Sequence, residues 1–219
     1  MFVVADGPRS DRPADTGLVD EVRAVIAGID WDCTVRTRFL PDNVGIDAAM
    51  IGAISWFFEQ VDAGVILEDD CVPAPTFLPM AGELLERYAE DAEIMQVSGL
   101  NMAPARRFTE HSYLYAEVGH IWGWATWRRA WTLFDAELST WPAARDEYLA
   151  GASQLGRTLG RKFDAFHAGR KQGWPRAWYW TMLSHAGLST IPTANLIENI
   201  GDGPDATHGP TPRHPLRLP

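Results

Sequence analysis

The sequence is poor in three things. It has only two cysteines, Cys33 and Cys71, among 219 residues, so no disulfide framework is open to it and a reducing compartment, the cytoplasm, is the expected location. No apolar run approaches the roughly 20 residues that a membrane span needs. The apolar start Met1-Phe2-Val3-Val4-Ala5 lacks the basic flank and cleavage-like site of a signal peptide and reads as a strand. Positive charge is also scarce: the formal net charge is −10, which argues against a nucleic-acid surface. An acidic protein that holds a phosphorylated ligand needs positive charge from somewhere, and a bound divalent cation is one source.

What is abundant is tryptophan, ten residues, eight of them between Trp122 and Trp180. Heavy core packing in the C-terminal half is the first explanation, and a surface that stacks on sugar rings is the second. Hydrophobic residues make up 46%, enough for one well-cored domain over residues 1–219.

The first half alternates strand and helix signals. Phe2–Ala5 ends at the turn Asp6-Gly7-Pro8, and Thr16 can cap a helix carrying Leu18, Val22, Ile26 and Ile29. The run from Cys33 to Phe39 alternates as a strand does, Ile46 to Gln60 is helical, and Val65-Ile66-Leu67 is a short buried strand running into Glu68-Asp69-Asp70. A helix from Phe77 to Tyr88 and a strand from Ile94 to Val97 follow. Such alternation predicts an α/β fold with a mixed, mostly parallel sheet flanked by helices, and in such sheets ligands sit at the carboxyl ends of the strands. The second half is less regular. Helices are expected at 128–134 and 178–185, a short strand at Tyr113 and Tyr115, weak signals over 143–173, and an extended tail from Gly201 that carries five prolines.

Glu68-Asp69-Asp70 is the strongest local signal. Three consecutive carboxylates after an apolar strand repel one another unless something positive sits among them. A hard cation with oxygen ligands answers that need and also grips a diphosphate; an acidic turn that caps the next helix is the equal alternative. His208 is either a surface residue or a metal ligand. Asp6, Gly7 and Arg9 form a turn, or place a carboxylate where a base or ribose hydroxyl can donate to it. Asn43 and Gly45 form a turn into a helix whose free N–H groups suit an anion, or serve only the turn. Gly123, between Trp122 and Trp124, lets the backbone pass close to a ligand or to another chain segment, the latter being ordinary core packing.

Taken in order, Ala5-Asp6-Gly7-Pro8-Arg9, Asn43-x-Gly45, Leu67-Glu68-Asp69-Asp70-Cys71, Ser98-Gly99-x-Asn101, Trp122-Gly123-Trp124-Ala125-Thr126-Trp127 and Asn199-Ile200-Gly201 followed by Asp205-Ala206-Thr207-His208 resemble bacterial nucleotide-diphospho-sugar transferases of the GT-A (Rossmann-like) fold. More distantly, they resemble the N-acetylglucosaminyltransferase I family. The resemblance runs from about residue 2 to 209. It implies a single glycosyltransferase domain with a nucleotide-binding half (1–100), an acceptor and metal half (101–209) and an extended tail (210–219). It implies that Asp6 contacts the base, with Gly7, Arg9, Asn43, Gly45, Glu68 and Asp69 on the donor side. Asp70 would bind Mn²⁺ or Mg²⁺, and His208 would be the second protein contact to the metal or diphosphate. Asn101, Trp122, Gly123 and Trp124 would shape the sugar and acceptor site. The implied partners are a nucleotide-diphosphate sugar and a glycan or small-molecule acceptor, as in polysaccharide biosynthesis; an oligomer is left open.

Two departures from that pattern stand out. The chain begins at what resembles the family's second strand, so the first strand-helix unit is expected to be missing, which leaves a sheet edge or position to fill. Where the family often carries an acid in a Trp-Asp-x-x-Trp-like segment, this chain has Trp174-Pro175-Arg176-Ala177-Trp178. An inverting transfer needs a carboxylate base, which leaves Asp164 and Asp202 as candidates beside Asp70. The alternatives are a catalytically inactive nucleotide-sugar-binding protein of the same fold, and another metal-dependent enzyme that processes phosphates.

Overall fold

A computed structural model describes residues 1–102, 109–170 and 173–201. The chain forms two compact units, Met1–Gln60 and Val61–Pro219.

In the first unit, β1 (Phe2–Ala5) and β2 (Arg36–Phe39) pair in parallel, Phe2 opposite Arg36 and Ala5 opposite Phe39. Parallel neighbours need a crossover. It is supplied by α1 (Asp15–Val25), which tightens into a 3₁₀ turn at Ile26–Gly28. The strand expected from Cys33 is thus confined to its last four residues, all exposed. Arg23 of α1 ties the two strand ends together, donating to Leu40 O at 2.6 Å and Asp6 O at 3.2 Å while stacking over Phe39. Helix α2 (Ile46–Gln60) lies against β1, with the Phe2 ring edge-on to Trp56 and Phe57 at 5.3 and 5.1 Å.

The second unit is built on five strands: β3 (Ala63–Ile66), β5 (Ile94–Ser98), β6 (Tyr113–Ala116), β7 (Trp124–Trp127) and β8 (Leu188–Pro192), in the order β3-β7-β5-β8-β6. A separate two-stranded ladder pairs β4 (Cys71–Pro73) with β9 (Ile197–Asn199). The helices are α3 (Phe77–Arg87), α4 (Arg128–Trp131), α5 (Trp141–Gly151), α6 (Gln154–His167) and α7 (Trp174–Ser184).

The expectation of a mostly parallel sheet requires correction. Within the five-stranded sheet only β5–β8 pair in parallel; β3–β7, β5–β7 and β6–β8 are antiparallel. The physical reason is insertion. β3 and β5 are both antiparallel to β7, so they run the same way as each other, and β8 runs with them. The strand-helix alternation correctly implies that β3 and β5 run the same way, but it carries no expectation of β7 or β8, both from the irregular half of the sequence, and β7 slips between β3 and β5.

Two cores flank this sheet. One gathers Phe77, Ala81 and Leu84 of α3 against Val97, Ala125, Trp127 and Ile197. The other packs Trp141, Leu159, Phe163, Ala177 and Trp180 among α5, α6 and α7. Of the eight clustered tryptophans, all but Trp122 are buried. Most of the tryptophan is therefore core. Both cysteines are free thiols, and no helix among the described residues is long and apolar enough to cross a membrane.

Candidate functional site

Because β3, β5 and β8 point the same way, their carboxyl ends share one edge of the sheet. Trp124 opens β7 opposite both Ile66 and Ser98, so Trp122-Gly123 sits at that edge too. The turn Leu67–Asp70, the loop Gly99–Asn101 and the Trp122-Gly123 segment, far apart in sequence, are brought to the edge where α/β sheets bind ligands.

The acidic turn is closed by Cys71 N donating to Glu68 O (3.1 Å). The chain then enters β4, where Cys71 faces Asn199 of β9, and Ile200 N donates to Asp70 O at 2.8 Å. Gly201 passes over the Asp70 carboxylate so closely that an added methyl would fall 2.4 Å from Oδ2. The Asn199-Ile200-Gly201 motif is thus laid against Asp70. His208 and Asp202, the remaining metal and base candidates, lie outside the described residues.

Glu68 is the strained member of the turn. Among the described residues its Oε1 is buried without a hydrogen-bond partner. Burial, reinforced by the charges of Asp70 and Asp69, pushes its carboxyl up to about 7. The same environment pushes the Cys71 thiol up to about 12, by burial first and then by Asp70 and Glu68, so Cys71 stays a thiol that donates weakly to Asp70 Oδ1. Tyr179 of α7 is also raised to about 12, by burial and then by the charge of Glu68, which places α7 beside the turn. Concentrated negative charge with an unpartnered buried oxygen suits a hard divalent cation. Among the described residues no group of three or more His, Cys, Asp or Glu side chains is arranged to hold a metal ion by itself.

Gly99 and Gly123 make the crossing at this edge possible. Gly99 N donates to Gly123 O (2.8 Å), and a Cβ on Gly123 (φ +58°) would fall 2.2 Å from Ile197 Cδ1. What Gly123 accommodates is therefore β9. Trp124 is fully buried and stacks on Trp174 at 5.9 Å, with Trp178 at 5.5 Å; its indole N–H has no hydrogen-bond partner among the described residues. Trp122 is half-buried and packs on the α3 core. Asn101 donates through Nδ2 to Pro192 O (2.7 Å) and ties its loop to the end of β8. A hydrogen-bonded network holds the approach to Trp122: Trp178 Nε1 donates to Gln96 Oε1, Gln96 Nε2 donates to His120 O, and Ser98 Oγ accepts from His120 N. Gln96 reads in sequence only as a polar residue in an apolar strand, and Ser98 enters there only as the first residue of Ser98-Gly99-x-Asn101, with no role of its own.

In the first unit the structure unites Asp6, Asn43 and Gly45. The Asp6 carboxylate accepts from Gly7 N, Val44 N, Gly45 N and Asn43 Nδ2, all between 2.9 and 3.2 Å. Gly7 is required there, since a Cβ would fall 2.3 Å from the Asp42 backbone. Arg9 pairs with Asp15 through Nε and Nη2, which holds the Asp15 carboxyl below its usual range. Asp164, a candidate base, is likewise held low, by Arg145 and then by Trp141 Nε1. It joins α5 to α6 and is a poor proton acceptor.

No protein-family model matches the chain, and no curated protein matches it.

Proposed function

We propose that the chain is a metal-dependent glycosyltransferase of GT-A type, which moves a sugar from a nucleotide-diphosphate donor to a glycan or other acceptor hydroxyl. The observation that carries this reading is the acidic turn at the carboxyl edge of β3: three adjacent carboxylates, with one buried oxygen that has no partner among the described residues. Asp70 would hold Mn²⁺ or Mg²⁺, with the donor's diphosphate oxygens and His208 completing the set, and Asp69 would face the ribose or sugar. When bound, the cation supplies Lewis-acid stabilisation of the leaving diphosphate. The chain's own part is to fix Asp70 between β4 and β9 and to screen the turn with α7.

A specific observation favours a second reading, an inactive nucleotide-sugar binder. The Asp6 carboxylate is already met by four donors, and the segment where an acid is expected opens α7 with Pro175 instead. Asp70→Ala separates these readings from a purely structural turn. In a thermal-shift screen of nucleotide sugars with Mn²⁺, the wild type gains about 2.7 kcal/mol at a ligand concentration one hundred times Kd. That gain disappears in Asp70→Ala and on adding a chelator. Binding with turnover supports the transferase, binding without turnover supports the second reading, and no metal-dependent binding to any donor overturns both.

A further inference from the structure

The second unit contains a cleft of about 980 Å³ that none of the motifs points to. One wall is α3, contributing Met80, Glu83 and Arg87; the other is β6 with the chain after β8, contributing Tyr113, Tyr115 and Thr193. β6 is an end strand of the five-stranded sheet, and its Tyr113 lies opposite Pro192, at the same carboxyl edge as the acidic turn. The β4–β9 ladder leads from one place to the other. Asp70 adjoins its Cys71–Asn199 end, and its far end continues into Leu196 and Thr76, which line the cleft. Three residue pairs span about 10 Å.

The lining suggests a chemistry. Two lining tyrosines, Tyr113 and Tyr115, meet a third that does not line the cleft: Tyr88 Oη lies 2.6 Å from Tyr113 Oη and 2.5 Å from Tyr115 Oη. Arg87 donates to Tyr113 Oη at 3.3 Å and pairs with Glu83. The Tyr115 ring is about half exposed, at 51%, so an aromatic side chain stands open to the cleft. Formal charge in the cleft leans negative, since Arg87 is set against Glu83 and Glu110. A phosphate or carboxylate ligand would meet those two acids. A purely apolar ligand would strand the hydroxyls and the ion pair. An uncharged, polyhydroxylated ring suits every feature: its apolar face stacks on tyrosine and its hydroxyls exchange hydrogen bonds with phenol, guanidinium, carboxylate and Thr193.

We infer that this cleft binds an uncharged oligosaccharide, the extended portion of the acceptor glycan, and feeds its end along the β4–β9 ladder toward Asp70. The assignment of that sugar as an acceptor rests on the transferase reading; the binding itself does not.

The test uses the full chain against an immobilised panel of neutral oligosaccharides, with Kd values for the best binder measured by titration calorimetry. Tyr115→Ala and Arg87→Gln alter exposed side chains, and circular dichroism verifies that each variant is folded. The expected result is binding of at least one neutral oligosaccharide, weakened tenfold or more by either cleft variant and unchanged by Asp70→Ala. Metal-dependent nucleotide-sugar binding shows the opposite pattern, lost in Asp70→Ala and kept in Tyr115→Ala. Binding of no neutral oligosaccharide at millimolar concentration, or binding indifferent to both cleft substitutions, overturns the cleft assignment. Loss of Asp70-dependent nucleotide-sugar binding with cleft-dependent oligosaccharide binding intact overturns the transferase reading alone.

Discussion

Single residues at the carboxyl edge carry opposed demands. Among the described residues Glu68 keeps a buried oxygen without a partner beside two further acids, an arrangement that weakens the fold unless something positive offsets it. Glu68→Gln removes one of the three charges. In metal-free protein at pH 8 it is expected to be more stable than the wild type by about 1 kcal/mol, within the range of gains from relieving functional strain, as read from urea midpoints. Gly123→Ala acts in the other direction. It places a Cβ within 2.2 Å of Ile197 Cδ1 at a φ of +58°. Equilibrium unfolding followed by tryptophan fluorescence should show a loss of about 2 kcal/mol or more. How legible these residues are in sequence follows from their physics. The acidic triplet is conspicuous because charge directly after an apolar strand is costly wherever it occurs. The destination of Gly123 is not, because its contact is β9, more than seventy residues further along the chain. Nor can a sequence reveal that the Asp6 acceptor sites are taken up by the 43–45 turn, although it does nominate Asp6, Asn43 and Gly45 separately.

At the scale of elements, local signals hold where a segment is decided by its own residues. α2 spans Ile46–Gln60 as its apolar spacing predicts, and α3 follows its stripe of Phe77, Met80 and Leu84. They weaken where tertiary contacts decide. The charged stretch 143–173 contains most of α5 and all of α6, whose buried stripe Gly156, Leu159, Gly160 and Phe163 mixes glycine with apolar residues. Glycine normally disfavours helix, but here Gly160 lets α6 approach Leu149 of α5. The start of α6 is written locally, since Ser153 Oγ accepts from Gly156 N at 3.1 Å. Ser153→Ala is therefore expected to cost about 1 kcal/mol, measurable by thermal melts, with little effect on ligand binding at the edge. Strand direction is likewise half written. Helix-linked β3 and β5 are co-directional, but nothing local announces that β7 will lie between them.

For the molecule as a whole, stability depends on pH through groups that folding shields. Burial lowers the proton affinity of His120, whose backbone is locked to Gln96 and Ser98. The unfolded chain then binds the proton first. The contribution of His120 is fully present above the ordinary histidine value of about 6.5 and declines as pH falls below it. Glu68 acts in the opposite sense, since its raised carboxyl takes up a proton in the folded state first and relieves the acidic turn as pH falls. Urea midpoints taken from pH 7.5 to 5 should therefore fall for Glu68→Gln, and fall less steeply when His120→Asn is added to it. The β4–β9 ladder has a different consequence, in time rather than energy. It joins residue 71 to residue 199, so the strand that meets the acidic turn leaves the ribosome more than a hundred residues after it. Until then the nascent chain holds that turn without its partner, and non-local pairings of this kind form slowly. The final backbone geometry around Asp70 is thus a delayed event in the life of each new molecule, set by a segment made long after the turn itself.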